Sequence, residues 1–208
     1  FRYRQGLLVG GEIIDCAAWV VSKGIANGAP IAAVGGDRKL LAGLRDMTYT
    51  SFFEPVSLAA AEATLSVLQS GTVHDAIRSN GNAFIEHARI ALTTADIPIE
   101  IVGDGPMFQF VCANDEIEQE FYAAASRARL MFYEGDHQAP SAAIAGEALT
   151  AACRRFDRAV SDLVGRWSGV QVTQDSRYQG AWNEMCGLPD YQRTPEETQA
   201  RARALLGF

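Results

Sequence analysis

The chain has 208 residues, 48% of them apolar, enough to bury a core in one domain or two small ones. Its formal charge of -7 is spread along the chain, which argues against a nucleic-acid or anionic-membrane surface and for a small-molecule or protein partner. The four cysteines lie far apart without metal-ligand spacing and read as reduced, cytoplasmic thiols, and no stretch reaches the ~18–20 continuous apolar residues of a membrane helix.

Residues 1–30 are Gly-rich and irregular and lead into Pro30 to Val34, an apolar run suited to a buried strand that Gly35-Gly36 is expected to stop. Asp37 can cap a short helix through Leu44 by accepting from the free amides of its first turn. Pro55 stands where a first helical residue would, and Leu58, Ala61, Leu65 and Leu68 follow on one face. A second helix is expected from about Thr72, with Val73, Ile77, Phe84, Ala88 and Ala91 inward and Gly81 weakening its middle. Ile97 to Val102 and Met107 to Cys112 read as a hairpin around the turn Gly103-Asp104-Gly105-Pro106.

Asn114 or Asp115 then caps a helix burying Ile117, Phe121, Ala124 and Ala128. After a loop around Gly135 to Ser141, another helix from about Glu147 buries Leu149, Cys153, Phe156, Val160 and Leu163. Beyond Trp167 the chain is polar until Thr194-Pro195-Glu196-Glu197, a capping box that predicts a short helix to about Leu206. The order of elements divides the chain near residue 70. Residues 1–70 read as an α/β layer, 71–168 as an α+β lobe with helices on one face of a small sheet, and 169–208 as a tail.

The informative segment is Ser22-Lys23-Gly24-Ile25-Ala26-Asn27-Gly28-Ala29-Pro30-Ile31. One lysine stands between apolar Trp19-Val20-Val21 and a Gly-containing turn. Such flanks are expected to desolvate the ammonium and favour the neutral amine that Schiff-base chemistry needs, and the glycines would admit a flat ring close to the backbone. On these residues alone, a loop lysine projecting into solvent is the more ordinary reading. His74 and His87 are misaligned on their helix for a shared metal and read as surface histidines. Asp136-His137 reads as a turn cap with substrate contact as its alternative, and Gly35-Gly36 lacks the wider spacing of a phosphate-binding fingerprint.

The lysine segment resembles that around the pyridoxal-phosphate (PLP) lysine of class III aminotransferases. A second stretch agrees with it: Thr48-Tyr49-Thr50-Ser51-Phe52-Phe53-Glu54-Pro55 and the Ala-rich helix after it resemble the Thr-Phe-x-x-Glu/Asn-Pro segment of that family. The resemblance implies Lys23 as the Schiff-base lysine and Thr50 as a ligand of the cofactor phosphate reaching into a neighbouring subunit, hence a homodimer. It is closest to the glutamate-1-semialdehyde aminomutase-like branch and implies a fold type I transferase: the end of the large α/β domain followed by an α+β small C-terminal domain. The opening Phe1-Arg2 resembles residues that follow an Asp-Glu pair in this family, so the aspartate for the pyridine nitrogen is expected just upstream.

The expected reaction is transamination or aminomutation of a small amino or keto compound. Racemisation or decarboxylation on the same cofactor, or a dimerising module without chemistry, stand as alternatives. The chain by itself is expected to be inactive. Three departures from the family pattern stand out: Cys16-Ala17-Ala18 replaces a Pro-Asp-apolar triplet, Ser22 replaces a glycine, and Ala143 or Ile144 stands where a histidine is frequent.

Overall fold

The computed structural model describes residues 8–9, 12–13, 17–44 and 54–173. Two compact units are present, Phe1–Ala76 and Ile77–Phe208. The division falls inside the helix predicted from Thr72, which starts in one unit and continues into the other.

In the first unit, β1 (Leu8–Val9) and β2 (Glu12–Ile13) form a short antiparallel pair. The larger pair is β3 (Ala18–Ser22) with β4 (Ala32–Gly36), antiparallel in a register running from Ala18↔Gly36 to Ser22↔Ala32. β4 therefore passes through Gly35-Gly36, where the sequence suggested a stop. The reason is cross-strand: Trp19 lies opposite Gly35, and its indole fills the space a Cβ would take. Gly36 adopts φ +151 against the Ala17 carbonyl, a position closed to a side chain.

Asp37 caps α1 (Arg38–Leu41), accepting from the Lys39 amide at 2.6 Å. At α2 (Pro55–Gln69), Pro55 opens the helix and Glu54 is the cap, its carboxylate accepting from the Val56 and Ser57 amides at 3.1 and 2.5 Å. The Ser57 hydroxyl, then the Ser57 and Val56 amides, hold the Glu54 carboxyl below its ordinary value, so the cap is charged at neutral pH. The buried face of α2 is Ser57 and Ala61, with Leu65 half-buried, while Leu58 is 41% exposed. Contact through small residues turns the helix so that Leu58 leaves the interface it was expected to fill.

The helix that enters the second unit, α3 (Thr72–Thr94), runs unbroken and from Ile77 onward buries Ile77, Gly81, Phe84, Ile85, Ala88 and Leu92 along one stripe. β5 (Ile99–Asp104) and β6 (Met107–Cys112) form an antiparallel hairpin that closes tightly at Gly105-Pro106. Gly81 is where this hairpin tip meets α3. A Cβ on Gly81 would run into the Gly105 carbonyl, and the Gly105 amide donates to Asn82 Oδ1 at 2.7 Å. The glycine that looked like a weakness is a close-approach site. In an open helix, Gly→Ala gains up to ~1 kcal/mol; here Gly81→Ala is expected to lose about 1–3 kcal/mol, because the hairpin tip must move. A urea midpoint that rises in this variant would show that α3 and the hairpin do not meet as described.

α4 (Asp115–Arg127) starts at Asn114, whose Oδ1 accepts from the Ile117 amide at 3.0 Å, and α5 (Glu147–Ser161) packs against it. Between them, the buried Gln138 bridges the loop to β6. Its main chain exchanges two hydrogen bonds with Phe108, and its side chain bonds the Tyr133 amide and carbonyl. Phe84, Phe110, Phe121, Phe132 and Phe156 join the core on which hairpin and helices meet. The tail helix expected at 194–206 lies outside the described residues.

Glu118 on α4 carries a pH signature. Burial, then the neighbouring Asp115 and Glu134 carboxylates, push its carboxyl above the ordinary 4.5, against a lowering contact from the Gly135 amide. Folding therefore favours the protonated form. That contribution is present below the ordinary value and is lost as pH rises through the folded one, so the carboxylate opposes folding at neutral pH. Glu118→Gln is expected to raise the unfolding midpoint at pH 7 and to flatten its dependence between weakly acidic and neutral pH. Equal midpoints at pH 7 would remove this assignment.

Candidate functional site

β3 ends at Ser22, which is extended and paired to Ala32. The chain then leaves the sheet abruptly. Lys23–Ala26 form one 3₁₀ turn, bracketed by two residues in the left-handed region, Lys23 at φ 52 and Asn27 at φ 48, with Gly28 at φ 113 beyond. Ile25 and Ala26 face down and are buried on Ala61 of α2, with Ala60, Leu65, Val21 and Ile31 around them. Their alanines allow the turn to sit close to the helix. With those two residues anchored, Lys23 and Gly24 are left facing solvent.

Lys23 lies on a concavity of about 510 Å³ formed by Ser22 to Gly24 and Asn27 to Ile31. A Cβ placed on Gly24 or Gly28 would meet nothing, so the peptide face beside the lysine is bare and open. The arrangement offers a primary amine beside an unobstructed backbone surface, which suits a flat aldehyde such as PLP. The expected desolvation by Trp19-Val20-Val21 is corrected. Trp19 is 44% and Val20 71% exposed, and among the described residues only Val21 of these three packs against the cluster around Ala61.

Left-handed φ is uncommon for any residue but glycine and, to a lesser extent, asparagine. Glycine would occupy position 23 with least strain, yet the chain places its lysine there. Sequence reading found the lysine and its glycines but not this conformation. The Asn27-Gly28 pair was the available signal, since both residues accept positive φ.

Thr50, the proposed phosphate ligand, and Phe1-Arg2 lie outside the described residues, so no geometry joins them to Lys23. The two histidines read as surface residues part company. His74 is buried, whereas His87 is half-exposed and its Nε2 lies 2.7 Å from Asp157 Oδ1, tying α3 to α5. Asp136 Oδ1 accepts from the His137 amide at 2.7 Å, as a turn cap does. Cys112 and Cys153 are free thiols, and burial pushes both upward, away from the reactive thiolate. Among the described residues, no group of three or more His, Cys, Asp or Glu side chains could hold a metal ion, and no helix is long and apolar enough to cross a membrane.

No protein-family model matches the chain. Its sequence is similar to the 2'-deamino-2'-hydroxyneamine transaminase of Streptomyces kanamyceticus, with 33% identity over 127 residues, covering 59% of this chain and 32% of that protein. Among solved structures, it resembles the FumI protein of Sphingopyxis sp. MTA144 in its PLP internal aldimine form, with TM-score 0.64 and 21% identity over 77% of this chain and 40% of that one. The acetylornithine aminotransferase of Elizabethkingia anophelis matches with TM-score 0.62 and 18% identity over 72% of this chain and 42% of its own.

This chain has the fold of a fold type I PLP-dependent transferase. It spans about a third of the length of the curated transaminase and about two fifths of the solved ones.

Proposed function

We propose that this chain carries the cofactor lysine, Lys23, of a PLP-dependent aminotransferase acting on a small amino or keto compound. The observation that carries the proposal is the anchored turn. A lysine occupies a left-handed position that glycine would take more easily, and it lines one concavity with the bare Gly24 and Gly28, in a fold shared with transaminases. When bound, PLP supplies an electron sink that stabilises negative charge on the substrate carbon.

The chain's part is positional and acid–base. Ile25 and Ala26, locked on α2, fix where the Lys23 side chain departs. As a free amine its Nζ would take the proton from the amino-bearing carbon of the substrate and give that proton back later in the reaction, ending as it began. Thr50 would bind the cofactor phosphate across a homodimer interface, and a carboxylate from a segment upstream would hold the pyridine nitrogen. Residues 1–70 would close the large domain and 71–168 form the small one, in a cytoplasmic enzyme. The similarity to a curated transaminase supports the aminotransferase reading, with aminomutation, racemisation and decarboxylation on the same cofactor as its alternatives.

The test is a cofactor spectrum of the full-length protein, followed by borohydride reduction and peptide mapping. A reducible band near the visible edge with its label on Lys23 is the expected result. A label on another lysine, or no band, would overturn the proposal, and no band would favour a dimerising module without chemistry. Product analysis with amino donors and keto acceptors separates amino-group transfer from the other PLP reactions.

A further inference from the structure

The left-handed residues on either side of the Lys23 turn do different work, and we propose that Asn27 is a positioning residue for Lys23. This inference rests on the assignment of Lys23 as the cofactor lysine. Between Ser22, the last paired residue of β3, and Ala32, the first of β4, the chain must descend to bury Ile25 and Ala26 and then climb back. Its two non-glycine residues with positive φ, Lys23 and Asn27, are only four apart, with Gly28 at φ 113 following.

The residues of the turn cannot choose φ independently. With Ile25 and Ala26 held on Ala61, the return to β4 starts at Asn27, and the Ala29 amide donates to the Ala26 carbonyl at 3.1 Å to close it. If residue 27 preferred the right-handed region, the closure would have to be met elsewhere in the turn. Lys23 is the residue with least to lose, because its own left-handed backbone is already disfavoured. Asparagine tolerates φ near 50° far better than alanine does. Asn27 thereby keeps the strain on Lys23, where it fixes the direction of the amine over the bare face of Gly24 and Gly28. Asn27 acts through its backbone preference and is a positioning residue rather than a catalytic one.

Glycine shares that preference and lacks the side chain, which makes the pair Asn27→Ala and Asn27→Gly decisive. In the full-length protein stripped of cofactor, the rate at which added PLP is captured by Lys23 is followed by the growth of the borohydride-reducible band, and kcat and KM are measured on the loaded enzyme. Asn27→Ala is expected to slow capture and lower kcat by about 10- to 100-fold with KM little changed, and Asn27→Gly to restore both to within about twofold of the parent. An alanine variant that captures cofactor at the parent rate overturns the inference. So does a glycine variant as impaired as the alanine one, since the amide side chain and not the backbone would then be at work. A parent protein with no label on Lys23 removes the cofactor assignment as well, whereas a labelled parent with an unaffected Asn27→Ala variant removes only the role of Asn27.

Discussion

Replacing Lys23 with glycine in the full-length protein is expected to abolish borohydride labelling at this position and lower turnover by about 10²- to 10⁴-fold, with the fold intact. Glycine is the informative replacement because it accepts φ 52 without strain, so lost activity is not confused with a disturbed turn. The lysine side chain faces solvent and belongs to no core cluster, so nothing packed is removed with it. Lys23→Arg should be as inactive as the glycine variant. Its guanidinium stays protonated at any pH the protein survives, so it can neither bond an aldehyde nor accept a proton. Near-parental turnover by either variant would mean that another amine does the work.

The largest effect on stability is expected at Phe156. Its ring is fully buried and lies 5.5 Å from Phe84, 6.0 Å from Phe110 and 6.0 Å from Phe121, between centroids, so it links α5 to α3, β6 and α4. Phe156→Ala is expected to cost about 3–5 kcal/mol, because the hairpin and three helices around the cavity cannot all collapse into it. Phe156→Leu should lose less, since it keeps most of the apolar contact while giving up the edge-to-face geometry. Urea unfolding with hydrogen exchange read at the α4 and α5 amides checks both. Parental exchange in these helices in Phe156→Ala would show that the ring is not central to the core.

The second unit was the more legible one in sequence. Ile117, Phe121, Ala124, Phe156, Val160 and Leu163 fall on the faces their spacing assigned, because long amphipathic helices against one hairpin bury what periodicity predicts. The first unit was read less well for a physical reason. Its contacts run through small residues, Ala26 on Ala61 and Gly35 beneath Trp19, and small side chains carry almost no periodic hydrophobic signal. Leu58 was placed inward by its size and spacing, but the alanines decide which face of α2 is buried.

The sequence by itself determined where a lysine stands among glycines, the cap at Asp37 and one at Asn114 or Asp115, the turn before Met107 and the helical faces of the second unit. These depend on chemical identity and local spacing, which a chain carries before it folds. Only the tertiary structure decided that Gly81 serves the hairpin tip, that His74 is buried while His87 pairs with Asp157, and that Lys23 sits in a left-handed turn pinned through Ile25 and Ala26 to α2. Each of those depends on a partner distant in sequence. The amine of Lys23 could be read from one residue; the turn that carries it is anchored on a helix some thirty-five residues further along the chain, from Ala26 to Ala61.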